Sequence, residues 1–97
     1  MNDLLFDFDF NTIKHNRMAL FKPEDAMALI NKCYELNISV YGVDAFILDD
    51  PYIQPFMEHS INANEKLDDD EQRERFNRHL VKYLNGKFVF EVVYEGY

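Results

Sequence analysis

An α+β fold is what this sequence predicts: one small domain over residues 1–97, with a mixed sheet of three to four strands and two main helices packed on it. Three observations predict it. Apolar residues alternate at both ends of the chain, over Leu4–Phe10 and Phe88–Tyr94, with the period of half-buried strands. Two helix starts with acidic first turns stand at Pro23 and Asp68, each followed by apolar residues at three- and four-residue steps. Between the helices lies a β-branched and aromatic stretch broken at Gly42. Strand, helix, one or two strands, helix and strand in that order give helices layered on a single sheet.

Leu4, Phe6, Phe8 and Phe10 share one face of the first expected strand, opposite Leu5, Asp7 and Asp9. Asn11 to Arg17 is polar and reads as a connection or a short turn of helix before Met18-Ala19-Leu20-Phe21. Pro23 suits a helix's first turn because its missing N–H has no partner there in any case, and Glu24 and Asp25 complement the positive dipole end. Ala26, Leu29, Ile30, Cys33 and Leu36 or Asn37 then form one apolar stripe. Ile38 to Leu48 fits two short strands or one strand bent at Gly42. Asp49-Asp50-Pro51 is turn chemistry, Pro55 permits at most a short helix before Ser60, and Ile61 to Leu67 reads as a surface loop. Asp68 and Glu71 have capping-box spacing, Phe76, Leu80 and Leu84 give the buried stripe of the second helix, and Asn85-Gly86 provides its stop. Phe88, Phe90, Val92 and Tyr94 alternate with Val89, Glu91, Val93 and Glu95 as a closing strand.

Eighteen Asp and Glu against ten Lys and Arg leave a net charge of -8, in a chain that also carries nine Phe and six Tyr. Nucleic acid is a poor partner for such a surface, because a binder must neutralise phosphates with Lys and Arg; a basic protein is a good one. A domain of this length buries roughly 60 to 65 % of the surface its unfolded chain exposes, so most Phe side chains must face inward. The single cysteine, Cys33, has no internal disulfide partner and suits a reducing compartment. The opening Met1-Asn2-Asp3-Leu4-Leu5-Phe6-Asp7 lacks the basic start of a signal peptide, and no apolar run reaches membrane-span length, so the expected location is the cytoplasm.

Catalytic signatures are scarce. His15, His59 and His79 show no metal-ligand spacing, Ser39 and Ser60 sit in no nucleophile elbow, Cys33 lies on the apolar stripe, and three unclustered glycines make no phosphate-cradling loop. The expectation is a binding protein with no catalytic residues, cofactor or metal. One enzymatic alternative is a small metal-dependent hydrolase built from Asp44, Glu58 and His59, with Asp49 and Asp50 nearby in sequence; it requires those side chains to converge. A general protein-protein adaptor is another.

The acids fall into three groups. Asp68 to Glu71 opens a helix whose later turns carry Arg73, Arg75, Arg78 and Lys82, which is dipole complementarity, with Glu71 to Arg75 and Glu74 to Arg78 as four-residue pairs. Asp7 and Asp9 share a strand face with Leu5, as Glu91 and Glu95 do with Val89 and Val93; were the two terminal strands adjacent, facing like charges would cost roughly 0.2 to 1 kcal/mol per pair, a cost that a basic partner relieves. The region from Tyr41 to Phe56 interleaves Phe46 and Tyr52 with Asp44, Asp49 and Asp50 around two prolines, the mixture of aromatic anchors and steering acids that suits a binding loop. Tyr41, Asp44, Asp49, Asp50, Tyr52 and Glu58 are therefore the first choice for a contact surface, and Asp7 and Asp9 the second.

At Pro23-Glu24-Asp25-Ala26, Tyr41-Gly42-Val43-Asp44-Ala45-Phe46 and Gln54-Pro55-Phe56-Met57-Glu58-His59, the chain resembles small immunity proteins of bacterial polymorphic toxin systems, the immunity protein 40 family. The resemblance spans roughly residues 18 to 95 and rests on overall likeness rather than a chemical motif. It implies a cytoplasmic inhibitor, not an enzyme, that binds the C-terminal toxin domain of a sibling effector and blocks its active site. Basic nuclease toxins would match the acidic surface, whose field also speeds association.

Overall fold

The structure is a computed structural model, and it describes residues 13–15, 18–49, 52–84 and 86–95. Its elements are β1 (Ile13–His15), β2 (Met18–Leu20), α1 (Pro23–Glu35), β3 (Val40–Asp49), β4 (Tyr52–Pro55), a 3-10 turn (Met57–His59), β5 (Ile61–Asn62), α2 (Asp69–Val81) and β6 (Phe88–Tyr94). The α+β class is as the sequence predicts. The main sheet has four strands, and its pairings are all antiparallel among the described residues rather than mixed. The strand expected at Leu4–Phe10, with Asp7 and Asp9, lies outside those residues.

β3 is the central strand. One edge pairs with β6 from Val40 against Tyr94 to Ile47 against Phe88. The other edge is shared by β4, at Phe46 to Asp49, and by β5, at Gly42 and Val43. β1 and β2 form a separate antiparallel hairpin, joined to β6 by the bridge between Phe21 and Phe90, whose backbones exchange hydrogen bonds of 2.8 and 2.7 Å. Both helices lie on one face of the sheet. There Val43, Ala45, Phe90 and Val92 meet Ala26, Leu29, Ile30 and Cys33 of α1 and Phe76 and Leu80 of α2 in one buried core.

Local chemistry explains the boundaries. α1 starts with Pro23 at its N-terminal end and stops two residues earlier than its apolar stripe suggests, because Asn37 adopts a left-handed φ of 58°. Ile38 N–H then reaches the Cys33 carbonyl at 2.8 Å and Asn37 N–H the Tyr34 carbonyl at 3.2 Å, the paired bonds of a Schellman stop. Leu36 is left 45 % exposed, outside the stripe it was expected to extend. Asp68 accepts from Glu71 N–H at 2.8 Å while Glu71 reaches back to Asp68 N–H at 3.4 Å, so the capping box read from the sequence forms. α2 ends at Val81, a turn short of Asn85-Gly86, and Leu84 is exposed where the sequence places it in the stripe. Gln72 occupies a core-facing position instead, 7 % exposed, bonded through both its amide oxygen and nitrogen to the Asn64 backbone.

Three short strands depart from the sequence reading. β1 falls where a polar connection was expected, β4 ends at Pro55 where no strand was expected, and β5 is two residues of the expected loop. Each is a short strand whose partner supplies the stability that its own composition lacks. Among the described residues no helix is long and apolar enough to cross a membrane.

Candidate functional site

The bend at Gly42 is a bulge. Val40 faces Tyr94 and Gly42 faces Val93, so β3 spends two steps where β6 spends one, and Tyr41 is the extra residue. Its side chain is 53 % exposed, an unusual state for a ring on a central strand. Gly42 is buried because β5 passes close by, with Asn62 opposite it in register and Ala63 N–H donating to the Tyr41 carbonyl at 2.8 Å.

After the bulge the alternation is regular. Val43 and Ala45 turn to the helices, and by alternation Asp44 and Phe46 turn to the opposite face of the sheet. On β6 the matching residues of that face are Val93, Glu91 and Val89. Asp44 and Glu91 are thus direct cross-strand neighbours, both half-buried, with Val93 and Phe46 also half-buried beside them. Two carboxylates facing each other across a ladder cost roughly 0.2 to 1 kcal/mol. The sequence raises that arrangement for Glu91 and Glu95 against Asp7 and Asp9 were the terminal strands adjacent, and Asp7 and Asp9 lie outside the described residues; among those described, Asp44 stands opposite Glu91. Leu20 and Val89 are buried without belonging to the helix-side core, so the more open part of this face is the end carrying Tyr41, Asp44 and Val93.

The other expected contact residues disperse. Asp49 and Tyr52 face each other in register at the far end of β3, eight residues from Tyr41 and so about 26 Å away along the strand. Asp50 lies outside the described residues, and Glu58 is exposed on the 3-10 turn. Tyr41 and Asp44 therefore stay together, and Glu91 joins them in place of their neighbours in sequence. Only the register of β3 on β6 reveals that, because the two acids are 47 positions apart.

Asp44, Glu58 and His59 form no metal set: among the described residues no three His, Cys, Asp or Glu side chains gather closely enough to hold an ion. His59 is engaged elsewhere, in a cluster the sequence did not reveal. Its Nδ1 lies 2.8 Å from the Tyr83 hydroxyl, and its carbonyl accepts from His79 Nε2 at 2.6 Å. Phe56 and Phe88 pack edge-to-face at 5.6 Å, and the His59 ring sits 4.8 Å from Phe88 and 5.3 Å from Tyr83. The cluster fastens the 3-10 turn to the end of α2 and the start of β6. Two histidines twenty residues apart match no ligand spacing, so the sequence shows them as scattered.

The ionisable groups near the core follow their surroundings. Burial pushes the Cys33 thiol up to about 11, which keeps it protonated and unreactive at neutral pH. His79 is held below the usual imidazole value, first by burial and then by the charges of Lys82, His59 and Arg75, against the raising effect of its bond to the His59 carbonyl. Tyr34 is pushed up by burial and by the nearby Asp69.

Comparison of the chain with protein-family models, with curated proteins and with solved structures found no match in any of the three.

Proposed function

We propose that this protein is a cytoplasmic immunity protein of a bacterial polymorphic toxin system, which neutralises a basic toxin domain by binding it and without catalysis. The observation that carries the reading is the acid pair of Asp44 and Glu91, half-buried near the exposed Tyr41 on the sheet face away from the helices. A Lys or Arg of the partner laid across the pair gains attraction from both carboxylates. Tyr41 adds a ring anchor with little side-chain entropy to lose. The net charge of -8 gives the long-range field that draws a basic partner in, and the family resemblance at Tyr41 to Phe46 falls on the same strand.

Asp49, Asp50, Tyr52 and Glu58 extend the surface in this reading only as outlying steering charges and anchors, since Tyr41 and Asp49 stand at opposite ends of β3. Co-expression tests the proposal: a toxin domain encoded beside this chain should be expressed without killing the host, and the two should elute as one complex. Toxicity undiminished by the wild-type protein would end it.

A further inference from the structure

A second surface has the opposite charge. From Arg75 to Phe90 the chain contains no Asp or Glu, yet it carries Arg75, Arg78, Lys82 and Lys87, four of its ten basic residues. Arg75, Arg78 and Lys82 fall at steps of three and four residues along α2 and its C-cap, with His79 four after Arg75 and three before Lys82, and so share one helix face. With Ile61 of β5 as the opposite wall they enclose a notch of about 170 Å³. That is room for roughly five waters and well short of a drug-sized pocket. Among the described residues no carboxylate lines it.

We propose that this notch is a binding site for a phosphate dianion, free or as the terminal group of a phosphate ester. Two of its lining side chains are already positioned. Arg75 Nη1 donates to the Asn62 carbonyl at 2.6 Å and His79 Nε2 to the His59 carbonyl at 2.6 Å, so the segment crossing α2 holds both side chains in place. Arg78 is steadied by Glu74 at 2.6 Å, which occupies one edge of its guanidinium. Each arginine keeps further N–H groups, and a planar fork matches the spacing of phosphate oxygens. Lys82 supplies a mobile point charge at the exposed rim.

Cations at a helix C-terminus ordinarily need no ligand, because they complement the dipole and bond to the last carbonyls. Here the carbonyls of His79, Leu80 and Val81 are taken by the N–H groups of Lys82, Tyr83 and Leu84, at 3.3, 3.0 and 3.4 Å. The side chains are thus not needed as carbonyl caps. The proton affinity of His79 is lowered first by burial, and Lys82 and Arg75 of the notch lower it further. The groups facing His79 are His59 from the 3-10 turn, Tyr83 from the turn after α2, and Arg75 and Lys82 from its own helix and cap. A bound dianion adds the missing negative charge, so it raises the imidazole's proton affinity.

Titration of the full chain with inorganic phosphate, followed by NMR of the His79 ring, tests the site. The expected result is a saturable shift with a dissociation constant on the order of 1 mM, together with a rise in the His79 titration midpoint. Sodium chloride at matched ionic strength should produce neither. The double variant Arg78→Gln/Lys82→Gln changes exposed side chains and should keep its far-UV circular dichroism while losing about ten-fold in affinity. Phosphoserine binding more tightly than inorganic phosphate identifies an ester as the ligand, and weaker or equal binding identifies the free ion; either ordering supports the site. Equal responses to phosphate and chloride, or undiminished affinity in the double variant, would overturn it. This site is independent of the acidic face, so its failure leaves the immunity reading untouched.

Discussion

A methyl group added at Gly42 would lie 2.9 Å from Asn62 Oδ1 and 3.1 Å from the Ile61 carbonyl oxygen. The Asn62 side chain is exposed and can swing away, whereas the carbonyl is fixed by the pairing of β5 with β3. Gly42→Ala should therefore cost about 1 to 3 kcal/mol of stability in urea denaturation, through forced displacement of β5. At His79 the linkage runs with pH. Its proton affinity is lower folded than unfolded, so its contribution to stability is fully present above about pH 6.5 and is lost as pH falls through the depressed folded value. Comparing denaturation midpoints at pH 7.5 and 5.5 should show a smaller acid-induced drop in His79→Gln than in the wild type. The same loss in both proteins would assign the acid sensitivity elsewhere.

At the scale of elements, the ends of helices are governed by identifiable pairs of atoms. Asp68→Ala removes the acceptor for Glu71 N–H and should lower stability by about 0.5 to 2 kcal/mol, read as a shift in thermal midpoint. This cap, the proline start of α1 and the alternation of β6 were all legible in the sequence because each is written within a few consecutive residues. β1, β4 and β5 were not. Four residues or fewer give no periodicity to count, and what makes Ile61-Asn62 a strand is the β3 backbone facing it rather than its own composition. A side chain completes that edge: where the 3-10 turn carries the chain out of the ladder, Ser60 Oγ accepts the Ala45 N–H at 2.8 Å. The candidate site divides the same way. Tyr41 and Asp44 were readable as an aromatic and acidic stretch, while Glu91 joins them through strand register, and the meeting of His59 with His79 depends on how α2 crosses the 3-10 turn.

Over the whole molecule the charge is sorted rather than spread. Acid stands on the sheet face away from the helices and at the start of α2, and base collects at the end of α2, so a net charge of -8 coexists with a cationic notch. Part of the acid excess is helix-end chemistry: Asp70 lies 3.7 Å from Arg73 and Glu74 2.6 Å from Arg78, exposed pairs of small energetic weight. Asp44 and Glu91 are different, because they are direct cross-strand neighbours on the sheet face away from the helices rather than helix-end acids.

The proposed acidic contact face is tested by the association rate with a basic toxin domain encoded beside this chain, measured by stopped flow at low and at high salt. Association should be fast and slow as salt rises, and should drop about ten-fold or more at low salt when both Asp44 and Glu91 are replaced by Lys, with the variant still folded. Binding by that variant at the wild-type rate, with the same salt dependence, would contradict it.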